Sequence, residues 1–307
     1  MKFSDKGVLK GFASPTALPE SPEQQRLWQE ANRTWWQRHP MRYDWSHEIG
    51  YPEFSKEFYE EIDRRFFSDV YEYMPWEKIP FDPLIDFDWL RGKDVLEIGV
   101  GNGSHAALLA RYAKSFTGID LTDYAVKSTS GRLKCFGLFG TVQQMDAEQM
   151  RFADGSFDFV WSWGVIHHSS DTRKILREIA RVLRPGGRAV TMVYHRSVWN
   201  YYLFNGLFHG VLRGRIFKTK SLHQVVQFQT DGAIARYYSE AEWRTLATEF
   251  FEVDAIRVYG SKMELLPLPG GRLKKLASAM IPCWISRFFT NTCKWGTFLL
   301  SSLSPRS

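Results

Sequence analysis

The stretch DVLEIGVGNGSHAALLA, residues 94–110, constrains this chain more than any other. An apolar run ends on Glu97, glycines follow at Gly99, Gly101 and Gly103, and a helix-forming segment begins at once. Glycines at such a turn let the backbone approach a ligand, and the helix N-terminus behind them presents unpaired N–H groups. A P-loop needs GxxxxGK followed by Ser or Thr, and no Lys follows these glycines. A dinucleotide turn needs GxGxxG, but the third position after Gly101 is Ser104, so the run reads GxGxG. An acid two residues before the first glycine would also repel a pyrophosphate. It suits a ligand that carries an ammonium group.

The surrounding pattern fixes the fold class. Short apolar runs at 94–99, 116–121, 157–165 and 188–194 read as buried strands, and TVQQMD at 141–146 as a weaker one. Between them SHAALLARYA and DTRKILREIARVL read as helices. In the second, Ile175, Leu176, Ile179, Val182 and Leu183 share a face, Asp171 is the expected N-cap, and RPGG ends the helix. Strands alternating with helices of this length predict an α/β fold with a parallel sheet covered on both faces. In such a sheet ligands bind beyond the carboxyl ends of the strands.

Acids stand at three successive strand ends: Glu97, then Asp120 in FTGID, then Asp146 in QQMDA. S-adenosylmethionine has a cationic amino-acid end, a ribose diol and an adenine, and can use an acceptor at each place. Taken singly, each acid is equally readable as a helix cap or a surface carboxylate.

The segments VLEIGVGNG, GIDLT, MDAEQMRFADGSFDFVWSWGVIHH and LREIARVLRPGG, in this order, resemble the class I S-adenosylmethionine-dependent methyltransferases, particularly the type 11 group that includes quinone-pathway members. The resemblance covers roughly residues 90–195. It implies a Rossmann-like sheet of seven strands, mostly parallel, with the last strand antiparallel. It also implies site roles. Glu97, Gly99, Gly101 and Gly103 would form the cofactor loop, Asp120 with Leu121 would meet the ribose, Asp146 with Ala147 the adenine, and Trp163 and Gly164 the methionine part.

Methyl transfer is an in-line displacement that rests largely on orientation. For an oxygen nucleophile a His is the natural proton acceptor, and VIHHSSD supplies His167 and His168 after the fourth strand. Paired His at this place also serve in the family only to shape the loop. His195 and Tyr194, ending the fifth strand, are second candidates, with a capped strand end as the competing reading. His105 reads as structural or as a neighbour of the cofactor carboxylate. No metal motif is present, and the three cysteines lie far apart without CxxC spacing.

The flanks are less legible. Residues 1–25, rich in Ser, Pro and Gln, are expected to form a flexible arm. Residues 26–89 form an aromatic helical cover, in which Phe54, Phe58, Ile62, Phe66 and Val70 recur every fourth position; WWQRHPMRYDW at 35–45 is either a lid or a packing layer. Residues 90–195 form the cofactor core. Residues 196–307 hold an insertion at 197–235 with no assignable structure, then a helix capped by Ser239, a strand at FEVDAIRVYG and a tail completing the sheet. That tail is either an interfacial amphipathic segment or a terminal helix and strand.

Of the net charge of +6, residues from 196 onward carry 15 Lys and Arg against 7 Asp and Glu. This asymmetry fits an anionic acceptor or peripheral contact with an anionic membrane, or merely a solvated basic face. Nothing recommends nucleic acid as a partner: no recognition motif accompanies the charge. No stretch approaches the roughly 18 apolar residues of a spanning helix, and no apolar leader stands at the N-terminus, so a cytoplasmic location is expected. The reading is a methyltransferase using S-adenosylmethionine on an O, N or C nucleophile of a small or lipid-linked molecule. Its rivals are a non-catalytic binding or scaffold protein of the same fold and a nicotinamide-dependent oxidoreductase.

Overall fold

The computed structural model describes Leu9 and residues 11–44, 47–212, 214–219, 221–268 and 271–306. Residues 1–8 and 10 of the expected arm, and Trp45 of the Trp-rich segment, lie outside the described residues.

Two helices lead the chain. In α1 (Pro22–Arg38) the Ser21 hydroxyl accepts from Gln24 N at 3.1 Å and Pro22 occupies the first turn. In α2 (Lys56–Tyr73), capped by Ser55, Phe58, Ile62, Phe66 and Val70 of the predicted stripe are buried, while Phe54, also expected on it, precedes the helix in a turn at φ 68° and is half-buried. After the short α3 (Phe87–Leu90) the core alternates β1 (Asp94–Ile98), α4 (Ser104–Tyr112), β2 (Ser115–Asp120), α5 (Asp123–Cys135), β3 (Thr141–Gln144), β4 (Phe157–Trp163), α6 (Thr172–Val182) and β5 (Leu183–His195). The C-terminal part adds α7 (Leu222–Gln227), β6 (Tyr237–Tyr238), α8 (Glu240–Ala247), β7 (Phe251–Tyr259), α9 (Arg272–Ala279), α10 (Cys283–Arg287) and β8 (Phe298–Pro305).

The sheet order is β3-β2-β1-β4-β5-β8-β7. The pairs among β1 to β5 are parallel, while β8, the last strand, runs antiparallel between β5 and β7. The expected Rossmann-like sheet with a reversed last strand is therefore present. An eighth strand, β6, adds to it: Tyr194 pairs with Phe298 on one side and with Tyr237 on the other, so β6 takes β4's side of β5 past Met192, where β4 has ended.

Side chains alternate across the sheet into two apolar layers. Leu96, Ile98, Val160 and Val193 pack with Leu176, Ile179 and Trp243 on one face. Val95, Phe159, Trp161 and Met192 pack with Phe66, Phe81 and Leu109 on the other. Burial on both faces is what makes these strands read as continuous apolar runs. Strand order reverses between β1 and β4, so the loops after them diverge and leave a crevice.

The flanks answer the open readings. In place of a free arm, Phe12 is buried edge-on against Trp28 and His223, and Pro15 O accepts from Tyr237 N at 3.0 Å. Arg236, fully buried, donates from Nε to Ala17 O at 2.7 Å and from its terminal nitrogens to Ser169 O and Ser170 O. Three carbonyls of two distant segments are thus satisfied by one guanidinium, which holds the segment in place. The Ser239-capped helix is α8, with a complete capping box, and FEVDAIRVYG contains β7. The unassigned insertion holds a helix of π type, Val198–Leu212, and α7. The tail does supply terminal helices and a strand, although α9 and α10 keep an apolar face outward.

Candidate functional site

At the crevice lies a cavity of about 1540 Å³. Its wall includes ten of the residues singled out from the sequence: Gly99, Gly101, Gly103, Asp120, Leu121, Asp146, Ala147, Trp163, Gly164 and His168. Tyr194 and His105 join them. Glu97, His167 and His195 are buried but do not line it.

The glycine loop has a local reason for each turn. Gly99, Gly101 and Gly103 all hold positive φ, at 80°, 53° and 80°. A Cβ at Gly99 would stand 2.1 Å from Val165 Cγ2, so glycine is needed there for packing of the β1 and β4 loops. A Cβ at Gly101 would meet nothing within 4 Å, which leaves its backbone bare toward open space. Gly103 caps α4 without a side-chain hydrogen bond, leaving the first N–H groups of that helix for a ligand.

Glu97 sits beneath this loop, in the layer of Val95, Phe81 and Trp161. Burial, with Asp120 nearby, pushes its carboxyl well above the usual range. Its Oε2 has no hydrogen-bond partner, and Oε1 is 3.8 Å from His105 Nδ1. Burial also pushes His105 down to about 3, so the same burial that favours the neutral ring favours the uncharged form of the acid beside it. A buried acid without a counter-charge is costly once ionised, and a cation bound at the loop would remove that cost.

Asp120 holds the loop and the next helix together. Oδ1 accepts from Thr122 N and Thr122 Oγ1, both at 2.9 Å, and Oδ2 from Gly101 N at 3.3 Å. Burial raises its carboxyl despite these donors. Asp146 Oδ1 accepts from Glu148 N at 2.8 Å and from Gln29 Nε2 of α1 at 2.8 Å. Trp163 stacks on Trp161 with centroids 5.6 Å apart and 8° between planes.

The histidines separate by face. His168 Nδ1 lies 2.7 Å from Ile234 O; a carbonyl only accepts, so Nδ1 carries a proton and donates it there. Gly232, at φ 80°, lets that turn close on the ring, since a Cβ there would fall 2.4 Å from Nδ1. His167 is packed between His168 and Tyr194, and burial holds its pKa well below the ordinary value. His195 Nδ1 donates to Gly296 O at 2.9 Å, and its N–H to Thr297 O, away from the cavity.

Several wall residues escaped the sequence reading. Gln29 and Asn32 of α1 lie over the cavity; Asn32 Nδ2 donates to His168 O and its Oδ1 accepts from Ile234 N at 3.3 Å. The signal was present: Asn32 falls in the buried stripe of α1 with Trp28, a polar residue at an inward position. Asn102 ties the loop to the cover by donating to Met41 O at 2.6 Å. The far wall brings Asp69 and Glu72 of α2 together with Lys262, Arg272 and Lys275. Lys262 pairs with Glu72 at 2.8 Å, and burial raises the Asp69 carboxyl.

The residues present fit S-adenosylmethionine. They offer a bare backbone, helix N–H groups, a buried acid with an oxygen that has no hydrogen-bond partner, and carboxylates at two further strand ends. The volume exceeds the usual ~300–1,000 Å³ of a small-molecule site, so a second substrate has room beside it.

Residues 96–191 match a family model described as a methyltransferase domain. Phthiotriol/phenolphthiotriol dimycocerosates methyltransferase of Mycobacterium tuberculosis (strain ATCC 25177 / H37Ra) is 40% identical over 100 residues, 32% of this chain and 36% of that one. Ubiquinone/menaquinone biosynthesis C-methyltransferase UbiE of Idiomarina loihiensis is 31% identical over 127 residues, 38% of this chain and 51% of that one. The chain thus spans about half or less of the length of these relatives. Geranyl diphosphate C-methyltransferase from Streptomyces coelicolor A3(2), solved with S-adenosyl-L-homocysteine, superposes with a TM-score of 0.54 at 14% identity, covering 94% of this chain and 99% of that one; it shares the fold. Motifs, fold and relatives together make residues 96–191 a methyltransferase domain of the class I, type 11 family of S-adenosylmethionine-dependent enzymes.

Proposed function

We propose that the chain binds S-adenosylmethionine at the loop of Gly99, Gly101 and Gly103 and moves its methyl group to a hydrophobic, small or lipid-linked acceptor. The observation that carries this reading is convergence: the glycine loop, Asp120 and Asp146 open on one cavity, above a buried acid, Glu97, whose Oε2 has no hydrogen-bond partner. Bound there, S-adenosylmethionine supplies a methyl group on a cationic sulfur. Glu97 balances the charge of the ligand's ammonium, Asp120 accepts from the ribose hydroxyls, and Asp146 with Ala147 meets the adenine. Trp163 and Gly164 border the methionine part.

His168, on the cavity wall, takes the acceptor's proton when the nucleophile is a hydroxyl, its ring held by Ile234 O. His167 and His195 act through packing and through the strand end. α1 serves as a cover that excludes water from the cofactor, through Gln29 on Asp146 and Asn32 on the His168 carbonyl. Residues 26–89 are thus the cover, 90–195 the cofactor core and 196–307 the part that shapes acceptor choice. The names of the two relatives speak of dimycocerosates and of ubiquinone and menaquinone, which supports a hydrophobic, lipid-linked acceptor; the excess of Lys and Arg after residue 196 supports its being met at an anionic membrane surface. Among the described residues no helix is long and apolar enough to cross a membrane.

Calorimetric titration with S-adenosylmethionine and with NAD separates this reading from a nicotinamide enzyme: binding of NAD alone overturns it. Incubation with methyl-labelled S-adenosylmethionine and a lipid extract then separates an enzyme from a binding module, since label must enter the organic phase.

A further inference from the structure

The helix α9 is amphipathic in the reverse of the usual sense. Arg272, Lys275, Ser278 and Ala279, one helical face, line the cavity. The opposite face carries Leu273, Leu276 and Met280, which are 72%, 67% and 84% exposed. The row continues past Pro282 with Trp284 at 71% and Phe288 at 52%. A helix on a globular core turns its apolar stripe inward, and a contiguous apolar patch left outside marks an interaction surface. The patch is anchored: Arg287 Nε donates to Glu72 O at 2.8 Å, and Lys274 Nζ lies 5.2 Å from the Phe204 ring centroid.

Charge identifies the occupant. Residues 265–307 contain Arg272, Lys274, Lys275, Arg287, Lys294 and Arg306 and no Asp or Glu, so this segment alone carries a charge equal to the +6 of the whole chain. Lys294 is paired with Glu240 at 2.8 Å, so the basic charges nearest the patch are Arg272, Lys274 and Lys275, which alternate in sequence with the outward Leu273, Leu276 and Met280 of α9. Basic side chains rimming an apolar face are the chemistry that lies in an anionic lipid surface. A second copy meeting this face across a twofold axis would oppose its charges with the same charges.

We infer that α9 and α10 form a docking face for an anionic bilayer and that α9 is at once the membrane-facing helix and a wall of the cavity. The surface and the cavity are the two sides of one helix, so docking brings the cavity to the layer where an acceptor with a long apolar chain resides. The acceptor clause rests on the proposed function; the docking clause does not.

The test is flotation of the full chain with vesicles of phosphatidylcholine alone and with added phosphatidylglycerol, at low and high salt, alongside calorimetry with S-adenosylmethionine. Wild type should float with the anionic vesicles only, and less at high salt. The triple variant L276E/M280E/W284E should lose about tenfold or more of this binding, because charge replaces inserted apolar surface. Leu276→Met with Trp284→Phe should retain it. The triple variant should bind S-adenosylmethionine as wild type does, which also shows that it folds. Wild type that binds the cofactor and stays out of the anionic vesicles overturns the docking face and leaves the proposed function standing. Flotation without cofactor binding does the reverse. Light scattering that finds a wild-type dimer, abolished by the triple variant, with no flotation assigns the patch to a second copy and overturns the inference.

Discussion

The two walls of the cavity are made differently. One consists of positions within a few residues of the ends of β1, β2, β3 and β4, all inside a stretch of about seventy residues and fixed by parallel pairing. The other is drawn from α2, the turn at Lys262 and α9, positions about two hundred residues apart that meet only through tertiary packing. The first wall carries carboxylates and bare backbone, the groups proposed to meet S-adenosylmethionine. The second mixes Asp69 and Glu72 with Lys262, Arg272 and Lys275 over aromatic surface. On the proposed reading the wall set by strand ends holds the cofactor and the wall set by helices meets the acceptor.

His168 lines the cavity just after β4, and its replacement should have the largest effect. His168→Gln should lower the rate of methyl transfer to a hydroxyl acceptor by about 100-fold or more while cofactor affinity holds, the usual contribution of a positioned base. His167→Gln, off the wall, should act on thermal stability instead. Equal loss of rate in both would reduce the pair to packing and leave orientation as the catalytic contribution.

Next in size is the first wall itself. Asp120→Ala removes the acceptor for Gly101 N, Thr122 N and Thr122 Oγ1 together with the partner proposed for the ribose. Loss of the two hydrogen bonds proposed to the ribose hydroxyls predicts cofactor binding weaker by about 100-fold in calorimetry. Affinity at the wild-type level would take Asp120 out of the site and leave it as a loop tie.

The glycines divide fold from ligand within one turn. Gly99→Ala forces a methyl into Val165 at positive φ and should cost about 2–4 kcal/mol of stability, from strain plus overpacking. Gly101→Ala meets no neighbour, so only the backbone term of about 1–2 kcal/mol applies to the fold. Its methyl enters the space proposed for the cofactor, and affinity should fall more than stability does. Denaturant unfolding and titration of both variants decide this; the reverse ranking would mean that the loop rearranges on binding.

The same contrast explains what the sequence disclosed. Strand runs, the glycine loop and the acids at strand ends are local signals, because each depends on neighbours within a few positions. So are the Asp171 and Ser239 caps. The paired histidines mark the limit: their type was legible, but which ring faces the cavity depends on a turn after β4 and on Ile234, sixty-six residues away from His168. The second wall gave no signal, since Asp69, Lys262 and Lys275 have no common period and look like solvated charges in their own segments. Residues 11–21 looked like a free arm for the same reason. What holds them is Arg236, more than two hundred positions on.

The smallest effect is a pH dependence that tests whether Glu97 awaits a cation. Its folded carboxyl is raised by burial and by Asp120, so as pH rises above the ordinary value of 4.5 the unfolded chain ionises first while the folded one keeps its proton. Stability contributed by the protonated acid is therefore present below that value and is lost progressively as pH rises toward the folded value. Glu97→Gln cannot ionise. The melting temperature of the ligand-free wild type should thus fall relative to that of the variant across this window, and the two should run parallel below it. Saturating S-adenosylmethionine should narrow the gap in wild type, because an ammonium at the loop favours the ionised acid. A gap that does not change with pH would place the charge-balancing role elsewhere in the first wall, with Asp120 as the remaining buried acid beside the loop.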